Sequence, residues 1–211
     1  MSNPLYVVID FESTCWNEPN SPSAEETEVI ELGAVVMSAD GANIAEFQSF
    51  SRPSIYPQLS KFCTELTTIT QDQVNLAPRF TTVYRNFTRW TCGVRDSTLQ
   101  VPSGTSFKLF SKPLTFPEDL IMMSWGQYDL SQLGRECRRM YVPLPFAKHV
   151  NLKKLYKFMF DEPRKRCGLG YALEKLDIPF QGTPHRGIDD ARMIAAIYKT
   201  LINKHHFTLE V

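Results

Sequence analysis

The chain has little that could brace it from outside. Its five cysteines, Cys15, Cys63, Cys92, Cys137 and Cys167, are odd in number, scattered, and include no Cys-x-x-Cys pair. That argues against a disulfide framework and against a zinc site, and for a reducing, intracellular compartment, with the cytoplasm as the expected location. No stretch approaches the ~20 consecutive apolar residues of a membrane-spanning helix, so no membrane partner is expected. The first residues lack the basic segment and apolar core of a signal peptide. No repeat and no linker-like composition divides the 211 residues, so residues 1–211 read as one domain, long enough for a sizeable core. Lys and Arg are absent from the first fifty residues, although the whole chain balances 23 basic against 23 acidic side chains. A balanced total argues against indiscriminate binding to nucleic acid. The basic residues gather instead in residues 135–166, where ten Lys and Arg face three acids. An acidic half facing a basic half suits a polyanion lying between them, and ordinary solvated helix faces would carry the same charges.

The most informative stretch is Leu5-Tyr6-Val7-Val8-Ile9-Asp10-Phe11-Glu12. It begins as the apolar, β-branched run of a buried strand. It ends in two carboxylates that, on a strand, point to the same face. Paired negative charge at the end of a core strand is costly without a counter-ion. A divalent metal held by hard oxygen ligands would supply one, and a strand running out into a solvated acidic loop is the alternative.

Further along, residues 13–28 form a polar, proline-containing loop. Residues 29–37 and 43–50 read as a second and third strand joined at Asp40-Gly41, which completes an antiparallel meander. Thr70 followed by Gln73 has the spacing of a capped short helix. Residues 80–90 have helical apolar spacing, and 93–117 read as a long loop insertion. A buried strand over 120–125 runs into a helix over 130–141. A short strand and helix over 150–160, a helix over 170–176 and a last helix over 188–204 follow. Antiparallel strands first and strand–helix alternation afterwards predict an α/β fold, a mixed sheet flanked by helices.

Two more carboxylates stand at informative positions. Asp129 follows the 120–125 strand, at a strand end where α/β active sites gather; capping the next helix would explain it equally well. Asp190 shares a stripe with Ile194, Ile197 and Leu201 near the start of the last helix, where the helix dipole favours an acid. His185 precedes it in Thr183-Pro184-His185-Arg186-Gly187-Ile188-Asp189-Asp190, a loop that proline and glycine would shape.

Taken in order, these residues resemble the motifs of the DEDDh, or DnaQ-like, exonuclease superfamily with its RNase H-like fold. Asp10-Phe11-Glu12 is similar to the first motif, Asp129 to the second, and His185-x-x-x-x-Asp190 to the third. Asp10-Phe11-Glu12-Ser13-Thr14-Cys15, Phe62-Cys63-x-x-Leu66-Thr67-x-Ile69-Thr70-Gln71-Asp72-Gln73-Val74 and Pro145-Phe146-Ala147-Lys148 resemble the subgroup that trims 3′ ends of histone mRNA, small interfering RNA and ribosomal RNA. The resemblance implies a metal-dependent 3′→5′ exonuclease that releases nucleoside 5′-monophosphates, with RNA the favoured substrate and DNA kept open.

The resemblance also assigns roles. Asp10, Glu12, Asp129 and Asp190 would hold two Mg²⁺ ions, for which Mn²⁺ may substitute. Asp10 would bridge both ions, Glu12 and Asp190 would complete the nucleophile side, and Asp129 would hold the second ion. His185 would take the proton of the attacking water. Phe11, Thr14, Cys63 and Leu66 would lie against the terminal nucleotide, with core packing the alternative for Leu66 and its neighbour Phe62. Apart from the resemblance, Lys148 and Lys153 are candidates for backbone phosphates, and solvated lysine is the alternative reading of either. Glu31 reads as a structural or supporting residue. A DNA-proofreading or short-oligonucleotide nuclease, and a non-catalytic module that binds RNA ends, are the alternative functions.

Overall fold

The computed structural model describes residues 4–19, 21–98, 115–163 and 167–205. Strand β1 (Leu5–Ser13) is central. It pairs antiparallel with β2 (Val29–Ser38), which pairs antiparallel with β3 (Asn43–Phe50). On its other side β1 pairs in parallel with β4 (Leu120–Ser124), which pairs in parallel with β5 (His149–Asn151). The order is β3-β2-β1-β4-β5, the expected meander extended by parallel strands.

Strand alternation assigns the two faces. Leu5, Val7, Ile9 and Phe11 point to one layer, with α3 (Phe80–Thr98) and α4 (Tyr128–Arg139). Tyr6 and Val8 point to the other, with α5 (Leu152–Met159), α6 (Leu169–Lys175) and α7 (Gly187–His205). Both faces of β1 are therefore covered, and its apolar residues are almost wholly buried. Each such side chain contributes roughly 1.5–3 kcal/mol over its exposed state. Asp10 and Glu12 continue the even-numbered series and end up on the α7 face.

Two short helices, α1 (Lys61–Thr67) and α2 (Gln71–Leu76), cover the edge near Ile30. The Thr70–Gln73 spacing is a capping box in the structure: Thr70 accepts from the Gln73 amide at 3.3 Å and Gln73 accepts from the Thr70 amide at 2.8 Å.

One expectation changes. Helix α3 runs on to Thr98, so 93–98 are helical rather than the start of a loop. Gly93 and the surrounding Thr and Ser interrupt the apolar periodicity there. The extra turns are held by Arg95, which forms a two-pronged ion pair with Asp119 at 2.8 and 2.7 Å. Of the rest of the expected insertion, 99–114 lie outside the described residues, and 115–117 lead back towards β4 with Phe116 buried against Phe146. No helix among the described residues is long and apolar enough to cross a membrane.

Candidate active site

Three packing facts build the site at the C-terminal end of β1. First, β1 outruns its partner β4: parallel pairing ends at Val8–Met123, and the backbone beyond it needs other partners on that side. Asp129, in the first turn of α4, supplies one. Its carboxylate accepts the Phe11 amide at 3.0 Å. Asp129 is thus bound to the strand rather than capping its own helix, and Gln127 occupies the cap position.

Second, α7 starts directly on the sheet. Gly33, the β2 partner of Asp10, lies so close to Gly187 that a Cβ on Gly33 would come within 2.1 Å of the Gly187 carbonyl carbon. A Cβ on Gly187 would in turn lie 3.0 Å from the Asp10 carbonyl oxygen. Two glycines face to face let the helix terminus reach the strand end. Asp190, one turn further on, is thereby brought to Glu12: one ligand atom each from Glu12, His185 and Asp190 lie within 4.8 Å of one another.

Third, Glu31 clamps the preceding loop. It stands opposite Glu12 in the β1–β2 register, a like-charge pairing that is unfavourable on its own, and it is fully buried. Its carboxylate accepts from Arg186 Nε at 2.9 Å, the Gly187 amide at 3.1 Å and Gln48 Nε2 at 2.6 Å. The Arg186 guanidinium also lies over the Phe50 ring, 5.2 Å from its centroid. His185, next in the chain, is exposed and left-handed at φ 61°, a conformation that costs a non-glycine residue about 1–2 kcal/mol. Its amide donates to Asp190 Oδ2 at 3.1 Å.

The electrostatics follow from burial and crowding. Burial, then the charges of Asp129, Glu12, Asp190 and Glu31, hold Asp10 well above the usual carboxylate range. Glu12 is pushed up to about 9 by burial, then by Asp190 and Glu31. Burial raises Asp129 to about 7 against the opposing hydrogen bond from Phe11, and Asp190 to about 6 against the one from His185. Carboxylates that repel one another in this way are all hard oxygen donors, and a divalent cation would relieve the repulsion. The donor set therefore fits the divalent metal expected of it.

The structure brings Asp10, Glu12, Asp129, Asp190 and His185 to one strand end. The four candidates for the terminal nucleotide are deployed differently. Phe11 is buried with its ring edge-on to Phe80, centroids 6.3 Å apart. Thr14 is buried and its hydroxyl accepts the Glu28 amide at 3.0 Å. Cys63 is buried with its thiol 3.7 Å from the Ser13 carbonyl, and Leu66 is half-buried. Lys148 is exposed and Lys153 half-exposed, its side chain passing Gly126.

Sequence reasoning missed Tyr128. This ring is 48 % exposed beside Asp129, with the buried Arg135 guanidinium 5.7 Å from its centroid. An aromatic residue adjoining a candidate metal ligand was the available signal.

A mixed sheet of this order, with acids converging at the end of its central strand, is the arrangement of the RNase H-like exonucleases. The family model described as Exonuclease (RNase_T) matches residues 7–107. The solved nuclease domain of 3′hExo, a DEDDh family member bound to rAMP, is 31% identical, covers 96% of this chain with 93% of its own, and superposes with a TM-score of 0.76. The chain belongs to the DEDDh exonuclease family. It is 38% identical over 201 residues to ERI1 exoribonuclease 2 of Danio rerio, covering 93% of this chain and 34% of that one. It is 35% identical over 195 residues to 3′-5′ exoribonuclease 1 of Homo sapiens, covering 90% and 50%. The chain thus spans a third to a half of the length of these curated relatives.

Proposed function

We propose that this chain is a 3′→5′ exoribonuclease that hydrolyses the terminal phosphodiester of RNA and releases nucleoside 5′-monophosphates. The observation that carries this reading is the convergence of Glu12, His185 and Asp190 within 4.8 Å, with Asp10 and Asp129 electrostatically coupled to the same cluster. The relatives' names, exoribonucleases and an rAMP-bound nuclease domain, support RNA as the substrate class.

Asp10, Glu12, Asp129 and Asp190 would hold two divalent ions, Mg²⁺ with Mn²⁺ able to substitute. When bound, such ions lower the pKa of the attacking water and neutralise charge building on the phosphoryl oxygens. His185 is assigned as the base rather than as a ligand. Imidazole suits softer metals than Mg²⁺, and an exposed histidine on a strained loop beside Glu12 can accept a proton and pass it to solvent. Glu31 and Arg186 are positioning residues that hold the loop carrying His185. The Tyr128 ring, backed by Arg135, would offer a sequence-tolerant stacking surface to a base near the 3′ end.

Purified Asp10→Ala and His185→Ala variants test the reading. Both are expected to keep the wild-type circular dichroism spectrum and lose monophosphate release. Undiminished release in both would overturn it.

A further inference from the structure

We propose that the small cavity behind the strand end, between β2, the 51–54 turn, the start of α3 and the C-terminal end of α4, is a second binding site for a phosphate group, filled by a backbone phosphodiester of the nucleic-acid strand. The inference rests on the nucleic-acid reading of the active centre. The cavity measures about 170 Å³ and is lined by Ser51, Arg52, Ser54, Arg79, Phe80 and Arg139, with Glu28 and Glu136 in its wall. It adjoins the candidate site through two contacts. Val29, in its wall, pairs with Ser13 at the end of β1. Phe80 packs edge-on against Phe11.

Two independent features point to an anion. Arg52 and Arg79 are exposed and carry no ion pair among the described residues. Both guanidiniums are therefore available, with the planar donor fork that suits phosphate. The second is Ser51. It is fully buried, lines the cavity, and its hydroxyl has no hydrogen-bond partner. A buried hydroxyl left unpaired is unfavourable by itself and is made good by a ligand that accepts its hydrogen bond.

The two carboxylates do not cancel this. Glu28 accepts from the Ser54 amide at 2.8 Å, the Ser54 hydroxyl at 2.8 Å and the Ile55 amide at 2.6 Å. Glu136 accepts from the Val29 amide at 3.0 Å and from Arg139 at 2.9 Å. Glu136 is paired with Arg139, and Glu28 is held by neutral donors that fix the wall, so against its one remaining charge Arg52 and Arg79 leave the lining one positive charge in surplus. The hollow between β3 and α7 provides the contrast: its Arg192 is taken up by Glu46 at 2.6 Å and Asp189 at 2.9 Å.

The test measures binding of a ten-nucleotide RNA in Mg²⁺, in a His185→Ala background that holds the strand uncut. Arg52→Gln/Arg79→Gln and Ser51→Ala are introduced into that background, with AMP and inorganic phosphate as further probes. The double variant is expected to bind the decamer about tenfold more weakly, with a salt dependence shallower by roughly 0.7 in log–log slope for one lost single-strand phosphate contact. AMP binding should be unchanged. Ser51→Ala is expected to weaken the decamer without lowering the melting temperature, which a merely structural serine would not do. Unchanged decamer affinity and slope in the double variant, beside a binding parent, would overturn the second site alone. Loss confined to inorganic phosphate would show an anion pocket off the strand's path and overturn it too. A parent protein that binds no decamer would overturn the nucleic-acid reading along with it.

Discussion

Glu12→Gln should make the metal-free protein more stable while removing its activity. Burial and its acidic neighbours push Glu12 from the ordinary glutamate value of 4.5 up to about 9. A raised carboxylate means that the folded protein holds a proton the unfolded chain has released, so stability falls as pH climbs from about 4.5 to about 9 and is level beyond. At pH 7 the part of that range already crossed amounts to ~3 kcal/mol, at about 1.36 kcal/mol per pH unit. Glutamine fills the same space with no proton to hold. For a chain of this size, each kcal/mol moves the melting temperature by about 2–4 °C, so the variant should melt about 6–12 °C higher in EDTA at pH 7, and the gap should shrink towards pH 5. Saturating Mg²⁺ or Mn²⁺ should stabilise the wild type more than the variant, because the ion relieves the repulsion that the substitution has already removed. Thermal melts with and without metal at both pH values check this. A variant melting at or below the wild type in EDTA at pH 7 would refute the claim that the four carboxylates strain the empty site.

Gly33→Ala would force a Cβ to 2.1 Å from the Gly187 carbonyl carbon. Backbone lies on both sides, so the expected loss is about 3 kcal/mol or more, with turnover falling as α7 lifts from the strand; urea unfolding and monophosphate release measure both, and an unchanged midpoint contradicts it. Arg186→Met strands the Glu31 carboxylate in the core and should cost about 3–5 kcal/mol. Adding Glu31→Gln should recover much of that loss, a double-variant comparison made by denaturant melts. Tyr128→Ala should weaken RNA binding by about 1–3 kcal/mol and leave the melting temperature nearly unchanged, since the ring is half exposed; equal affinity in a filter-binding titration would remove the stacking role.

The strands and the order of the acids were readable because both rest on local signals. An apolar run ending in Asp10 and Glu12 has only one sensible strand register, and the stripe from Asp190 to Leu201 declares which helix face is buried. What could not be read depends on contacts between distant segments. Nothing in the sequence around Gly33 announces that Gly187 lies against it. Glu31 alternates with apolar residues, and nothing nearby in sequence announces that Arg186 and Gln48 will satisfy it. The final turns of α3 were hidden because the residue that holds them, Arg95, finds its partner Asp119 beyond the 93–117 stretch. Thr14 and Cys63 were readable as motif members, and their burial was not.

The most direct measurement uses 5′-labelled RNA and DNA oligomers of one sequence with the purified chain and Mg²⁺ or Mn²⁺. The account predicts a ladder of RNA shortened from the 3′ end, nucleoside 5′-monophosphates as product, and loss of both in EDTA and in Asp10→Ala. Intact oligomers in the presence of either metal, or a ladder that survives EDTA, would contradict it.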